Sequence, residues 1–328
     1  MLRVVFAGSP DCAVPALEAV ALQHQIVAVL SNPPASMGRS RNLVPTPVAK
    51  AAAELKLAGH IAEDVPIITP EHITDEIRAQ IAAVKPDAIA CFAYGKIFGP
   101  KTLALFPRGA INLHPSLLPR WRGCAPVPAA ILAQDKETGI SIQQMVREMD
   151  AGDILAQKRY PLDGSETAGD LLDTLAHEGA PLLVEVLNRI EAGNLTRTPQ
   201  NHDKATYCGM LCKDDGEIDW NTSAEEIAAK IRAFHPWPGA FTRARETVLL
   251  IHQAHPYETT EATNTPPGTV FDVDKKTGIL VQTGNGVLAL ETLQWCAKKQ
   301  LDWKSFLNGT RNFTGTVLGT TAQPETTP

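Results

Sequence analysis

Strand-like and helix-like segments alternate through the first half of the chain. An apolar run over residues 2–7 ends at Gly8, and a helical stretch over residues 13–23 leads to a second apolar run over residues 26–30. Such alternation predicts a Rossmann-like α/β fold, in which helices cover both faces of a mostly parallel sheet. Ligands bind to sheets of this kind at the carboxyl ends of the strands.

The second part of the chain has a different pattern. Residues 193–206 are polar and typical of a linker, and after Phe234 five short apolar runs are separated by Gly, Thr and Pro. Short strands at this spacing predict a small, OB-like β-barrel. The predicted organisation is a first domain over residues 1–192, a linker over 193–206, a second domain over 207–318 and a disordered tail over 319–328.

Composition excludes several classes of protein. The 328 residues carry a formal net charge of −6, so any nucleic-acid surface must be a local patch of Lys and Arg. The six cysteines are scattered, which argues against a disulfide framework, and no apolar run is long enough to span a bilayer. Cys208 and Cys212 have no second Cys/His pair nearby, so we expect no metal site. These features predict a cytoplasmic protein.

The segment AINLHPSLLPRWRG, residues 110–123, carries the most chemistry. Residues i and i+2 of a strand point to the same side, so Asn112 and His114 can converge at the end of a predicted strand. An amide can hold a developing oxyanion and an imidazole can move a proton, a pair that suits transfer at a carbonyl carbon. A local hydrogen-bonding arrangement fits the same two residues. Arg120 and Arg122 flank an aromatic ring, which suits an anionic or nucleic-acid ligand.

The longer string NLHPSLLPRWRG resembles the signature of the 10-formyltetrahydrofolate-dependent formyltransferases. Four further segments are similar to this family: FAGSPDCA after the first strand, MDAGD at residues 149–153, YCGMLCKDDGEIDW at 207–220 and IRAFHPWPGA at 231–240. The resemblance spans residues 1–318. It implies that residues 1–192 form the catalytic domain and that residues 207–318 bind tRNA.

The resemblance also implies the reaction and its catalytic residues. The formyl group of 10-formyltetrahydrofolate would pass to the α-amine of initiator methionyl-tRNA, for translation initiation, without a metal. Asn112 would donate to the oxyanion, His114 would stabilise the same charge and assist proton transfer, and Asp150 would orient His114.

Two sets of binding residues follow from the same resemblance. The residues implied for folate binding are Ser116, Leu117, Leu118, Pro119, Ala93, Tyr94, Gly95 and Ile97. The basic residues implied for tRNA binding are Arg39, Arg41, Lys213, Lys298, Lys299 and Lys304. For the three C-terminal lysines, solvated surface positions are an equally good interpretation.

Two alternative functions remain open at this point. One is a related formyl enzyme: a glycinamide-ribotide or amino-sugar formyltransferase, or a formyltetrahydrofolate hydrolase. The other is a non-enzymatic RNA-binding protein, although this reading leaves NLHPSLLP and MDAGD unexplained. We expect a monomer that binds folate and tRNA and does not bind a membrane.

Overall fold

A computed structural model of the chain describes residues 1–36, 42–244, 246–259 and 265–319. The strands within these ranges are β1 (Arg3–Gly8), β2 (Gln25–Leu30), β3 (Ala35–Ser36), β4 (Leu43–Val44), β5 (Ile67–Ile68), β6 (Ala88–Phe92), β7 (Gly109–His114), β8 (Arg122–Gly123), β9 (Glu137–Gln144), β10 (Ile154–Pro161), β11 (Tyr207–Cys208), β12 (Ala240–Ala244), β13 (Thr247–Tyr257), β14 (Val270–Asp274), β15 (Gly278–Gln282), β16 (Val287–Trp295) and β17 (Leu301–Asp302). The α-helices are α1 (Val14–Gln23), α2 (Pro47–Leu57), α3 (Asp75–Ala83), α4 (Pro100–Leu103), α5 (Pro126–Leu132), α6 (Ala168–Ala192), α7 (Ala224–Ala233) and α8 (Trp303–Gly309).

The chain divides into two compact units. The first comprises Met1–Pro126, Glu137–Pro161 and Leu171–Gly209, and the second comprises Val127–Lys136, Leu162–Asp170 and Met210–Pro328.

A seven-stranded sheet in the order β10-β9-β7-β6-β1-β2-β5 forms the centre of the first unit. The pairs from β7 through β6, β1 and β2 to β5 are parallel, whereas β9 pairs antiparallel with both β7 and β10. The predicted mostly parallel sheet is therefore confirmed, with its antiparallel pairs at one edge. Helix α2 begins with an N-cap residue, Thr46, whose hydroxyl accepts a hydrogen bond from Ala49 N at 3.2 Å.

The second unit is built on an antiparallel sheet in the order β12-β13-β16-β15-β14, with β17 paired to β16. Helix α7 carries a capping box between Ser223 and Glu226 and buries an apolar face. Ile227 and Ile231 from this face share one core with Trp220 and with inward residues of the strands. The five predicted C-terminal strands are present. Among the described residues, no ladder joins β12 to β14, so the sheet is not closed by strand pairing.

Residues 193–209 pack into the first unit, although their polarity is typical of a linker. Strand β11 pairs in parallel with β8, which places Tyr207 beside Arg122 and Cys208 beside Gly123. Gln200 is buried in this segment and uses its amide for internal hydrogen bonds. A polar segment can pack in this way because its side chains find hydrogen-bond partners inside the protein.

No helix in the described part of the chain is long and apolar enough to cross a membrane.

Candidate functional site

Polar side chains lie together at the carboxyl end of β7, where this strand pairs with β9. Asn112 of β7 lies opposite Cys91 of β6 on one side and Gln143 of β9 on the other. His114 is the last residue of β7 and points to the same face as Asn112, because side chains alternate along a strand. The predicted convergence of Asn112 and His114 at a strand end is therefore present in the fold.

The side-chain amide of Asn112 has no hydrogen-bond partner among the described residues. It is only partly buried, so its N–H groups can reach a ligand. Cys91 lies beside it on the neighbouring strand, and burial raises the pKa of the Cys91 thiol to about 12. Cys91 therefore stays a neutral thiol, and it does not repel a negative charge that develops near Asn112.

Both ring nitrogens of buried His114 face acceptors of the protein. His114 Nε2 lies 2.8 Å from the carbonyl oxygen of Trp121, which can only accept, so Nε2 carries the proton and donates it. His114 Nδ1 lies 3.6 Å from Asp150 Oδ2. This distance is longer than a hydrogen bond and fits two acceptors that face each other. A proton added to Nδ1 would produce an ion pair with Asp150.

Asp150 is held by its side chain and by its backbone. Oδ2 accepts from Gly123 N at 2.9 Å, and Oδ1 accepts from Gln143 Nε2 at 2.6 Å. The backbone has a φ of +53°, in the left-handed region that aspartate tolerates better than most residues. Gln200 Nε2 donates to the carbonyl oxygens of Asp150 and Gly152, at 2.8 and 2.7 Å. Hydrogen bonds to the Asp150 side chain and to the backbone of Asp150 and Gly152 therefore both hold the MDAGD turn in place.

Arg122 directly precedes Gly123 on β8 and is buried, with only 1% of its surface exposed. Its Nε and Nη2 donate to Gln200 Oε1 at 3.1 and 2.7 Å, and its Nη1 donates to the Tyr207 hydroxyl at 3.3 Å. The expectation that Arg122 faces an anionic ligand is wrong, because the guanidinium is used internally. Arg120 is exposed and lies 4.4 Å above the Trp121 ring.

Sequence reasoning missed Gln143, Gln200 and the internal role of Arg122. Gln143 carried little signal, because it is one of several polar residues in the mixed sequence of β9, ETGISIQQ. Gln200 carried none, since its partners Asp150 and Gly152 lie about fifty residues earlier in the chain.

Hydrogen bonds within the protein hold the SLLP segment, residues 116–119, which follows His114. Buried Ser116 donates its hydroxyl to Arg120 O at 2.6 Å, and Ser141 donates to Ser116 O at 2.7 Å. Leu118 is buried, and its N–H donates to Ser141 Oγ at 3.0 Å. Leu117 and Pro119 are half-buried. Because the Ser116 hydroxyl is already used, Leu117 and Pro119 are the members of this predicted folate set that a ligand can reach.

The predicted folate segment after β6 has one buried and three exposed members. Tyr94 is 1% exposed and stacks on Phe98, with 5.3 Å between the ring centroids. Burial raises the pKa of the Tyr94 phenol to about 12, so this group stays neutral. Ala93 and Gly95 are exposed at positive φ, and the side chain of Ile97 is 75% exposed. Exposed backbone beside an exposed apolar side chain suits a flat heteroaromatic ring.

The basic residues predicted to bind tRNA occupy separate places. Lys213, Lys298, Lys299 and Lys304 are exposed in the second unit, and Lys304 lies 5.1 Å above the Trp303 ring. Arg39 and Arg41 lie outside the described residues. The part of the chain that the structure describes contains no group of three His, Cys, Asp or Glu side chains arranged to hold a metal ion.

Comparison with known proteins covers nearly the whole chain. Residues 2–187 match the formyl transferase domain, and residues 210–311 match the formyl transferase C-terminal domain. The chain is 51% identical over 315 residues to the methionyl-tRNA formyltransferase of Treponema denticola, which covers 95% of this chain and 98% of that protein. It is 38% identical over 314 residues to the enzyme of the same name from Carboxydothermus hydrogenoformans, covering 96% and 98%.

Solved structures share the fold at lower identity. An N-formyltransferase from Helicobacter canadensis, in complex with folinic acid and dTDP-3-aminofucose, has a TM-score of 0.62 at 20% identity, covering 88% of this chain and 99% of that one. HypX from Aquifex aeolicus, in complex with tetrahydrofolic acid, has a TM-score of 0.61 at 16% identity; it covers 93% of this chain, which spans 47% of HypX. Both domain matches and the full-length relatives agree: the chain belongs to the formyl transferase family.

Proposed function

We propose that this protein transfers the formyl group of 10-formyltetrahydrofolate to the α-amine of methionyl-tRNA, the initiator tRNA of translation. The observation that carries the proposal is an unpartnered amide, Asn112, on the same face as a His114–Asp150 pair at the end of a parallel strand. The choice of acceptor is supported by relatives that are 51% identical over 95% of the chain and are named for this substrate.

In the proposed reaction the α-amine attacks the formyl carbon, and the carbonyl oxygen takes up negative charge. Asn112 donates an N–H to this oxygen, which it can do at once because no protein group occupies its amide. The new C–N bond forms as the bond from the formyl carbon to the folate nitrogen breaks. A donor fixed in advance stabilises the charge without reorganising during the reaction.

His114 and Asp150 are proposed to carry the proton that moves from the amine to the folate nitrogen. The amine must lose one proton and the folate nitrogen must gain one. His114 Nδ1 lies 3.6 Å from the Asp150 carboxylate, so a proton taken up at Nδ1 is stabilised by that charge. This proton, taken from the amine, then passes from His114 Nδ1 to the leaving folate nitrogen. We assign no oxyanion contact to His114, because its Nε2–H already donates to Trp121 O.

Binding of the two substrates is proposed at different parts of the protein. Ala93, Gly95 and Ile97, together with Leu117 and Pro119, are the predicted folate residues that a ligand can reach. The exposed Lys213, Lys298, Lys299 and Lys304 are the described basic residues proposed to contact tRNA phosphates. We expect the protein to act as a monomer in the cytoplasm.

The direct test supplies 10-formyltetrahydrofolate with methionyl-tRNA and, separately, with an amino-sugar nucleotide or no acceptor. The proposal expects formyl-methionyl-tRNA from the wild-type protein and near-loss of product with His114→Ala. Formylation of the amino sugar alone, or hydrolysis of the folate without transfer, would assign the protein to a different formyl enzyme. Binding of tRNA without any formyl chemistry would indicate a non-enzymatic RNA-binding protein.

A further inference from the structure

Gln143 is a buried amide beside the proposed catalytic residues that has no assigned role. It lies on β9, pairs across the sheet with Asn112, and is only 2% exposed. Cross-strand partners project to the same face of a sheet, so Gln143 stands on the face that carries Asn112 and His114. A fully buried glutamine in this position must have its amide groups hydrogen-bonded or lose stability.

The Gln143 amide makes one hydrogen bond, and that bond is to Asp150. Its Nε2 donates to Asp150 Oδ1 at 2.6 Å. The opposite amide orientation would place two oxygens in contact, so the donor must face the carboxylate. Gly123 N occupies the other carboxylate oxygen, Oδ2, which is also the oxygen that faces His114. With Oδ1 engaged by Gln143, the carboxylate plane is fixed relative to the imidazole.

The oxygen of the same amide lowers the stability of the folded protein. Gln143 Oε1 is buried and has no hydrogen-bond partner within the described protein. A buried acceptor without a partner destabilises the folded state, and an apolar side chain of similar size would avoid that penalty. The amide oxygen therefore adds no stability, and what glutamine supplies at this position is the hydrogen bond to Asp150.

We propose that Gln143 is a positioning residue for formyl transfer, acting through Asp150. Its N–H prevents the carboxylate from turning about its Cβ–Cγ bond, which keeps Oδ2 aimed at His114 Nδ1 while that nitrogen takes up and releases the proton. The inference rests on the proposed function. It adds a residue that contributes to the rate without contacting either substrate.

The test compares Gln143→Met with Thr138→Val. Methionine keeps the length of glutamine and lacks the donor. Thr138 is a matched control because it lies on the same strand and is buried. Its hydroxyl oxygen has no hydrogen-bond partner among the described residues, Asp150 included. Thr138→Val removes an unpaired buried oxygen and is expected to melt at or above the wild-type temperature. In Gln143→Met the same gain is offset by loss of the hydrogen bond to Asp150, so this variant is expected to melt at or below the wild-type temperature.

Only Gln143→Met is expected to lower kcat, by roughly ten- to a hundredfold, with unchanged KM for methionyl-tRNA and for the folate. In a background of Asp150→Ala, adding Gln143→Met is expected to change kcat less than twofold, because residues that act through one group are not additive. Wild-type kcat in Gln143→Met, or an additive loss in the double variant, would overturn the proposal. Failure of the proposed function is distinguishable, since the wild-type protein itself would then form no formyl-methionyl-tRNA.

Discussion

Replacing Gly123 with alanine is expected to separate β8, whose Gly123 N–H donates to Asp150, from its neighbour β11. Gly123 has a φ of +114°, and a Cβ built on it would lie 2.1 Å from the carbonyl oxygen of Cys208. Such contacts stay above 3.0 Å in proteins, so β8 and β11 must move apart by about 0.9 Å, the difference of the two distances. Gly123 N donates to Asp150 Oδ2 at 2.9 Å, so we expect a displacement of Gly123 to break this hydrogen bond.

Two costs add in the folded state of Gly123→Ala. Alanine at this positive φ is strained by about 1–3 kcal/mol. The lost hydrogen bond to a charged carboxylate contributes about 1.5–3 kcal/mol more. We expect the free energy of unfolding to fall by about 2.5–6 kcal/mol. Because Asp150 then keeps only one of its two side-chain donors, formyl transfer is also expected to slow, by about tenfold or more.

The matched control is Gly109→Ala, at the first residue of β7. Gly109 has a similar φ of +135°, but an added Cβ would meet no atom within 4 Å. This variant carries the strain alone and keeps every contact of Asp150. Urea unfolding and single-turnover formyl transfer are measured on both variants. If Gly123→Ala equals Gly109→Ala in rate and in unfolding free energy, the reasoning about the strand contact is refuted.

Two further predictions concern other buried groups. Arg122→Met removes both donors to Gln200 Oε1 and leaves this buried oxygen unpaired, so the free energy of unfolding is expected to fall by about 1–3 kcal/mol. Trypsin cleavage within residues 193–209 should become faster, and an unchanged cleavage pattern would argue against it. Burial lowers the pKa of His24 below 6.5. The unfolded chain then binds a proton that the folded chain does not, so stability is full above about pH 6.5 and falls as the pH drops below it. Urea unfolding at pH 7.5 and 5.5 should show this loss in the wild type and a smaller one in His24→Gln; equal losses would contradict it.

Much of the sheet could be predicted because its strands are short and apolar and are separated by helices. The apolar run over residues 26–30 predicts β2, which the structure extends by one residue to Gln25–Leu30. The pairing of Asn112 with His114 on one face followed from strand alternation alone. The C-terminal strands were also predictable, because Gly, Thr and Pro mark where each one ends.

The hydrogen bonds that support the site could not be predicted in the same way. They depend on which strands become neighbours and in which register, as when β9 places Gln143 beside Asn112. Gln200 is more distant still: a polar residue in a polar segment gives no sign that the chain returns to bind the Asp150 turn. The tautomer of His114 likewise depends on the Trp121 carbonyl, whose position is set by the fold of the loop.

Asn112 is proposed to hold the oxyanion during formyl transfer, and the most direct measurement of this role is the single-turnover transfer rate of Asn112→Ala with both substrates saturating. We expect a rate about a hundred- to a thousandfold below the wild type, with the dissociation constant for the folate unchanged, because only the charged oxygen of the transition state needs this donor. A rate within a few-fold of the wild type would contradict the account.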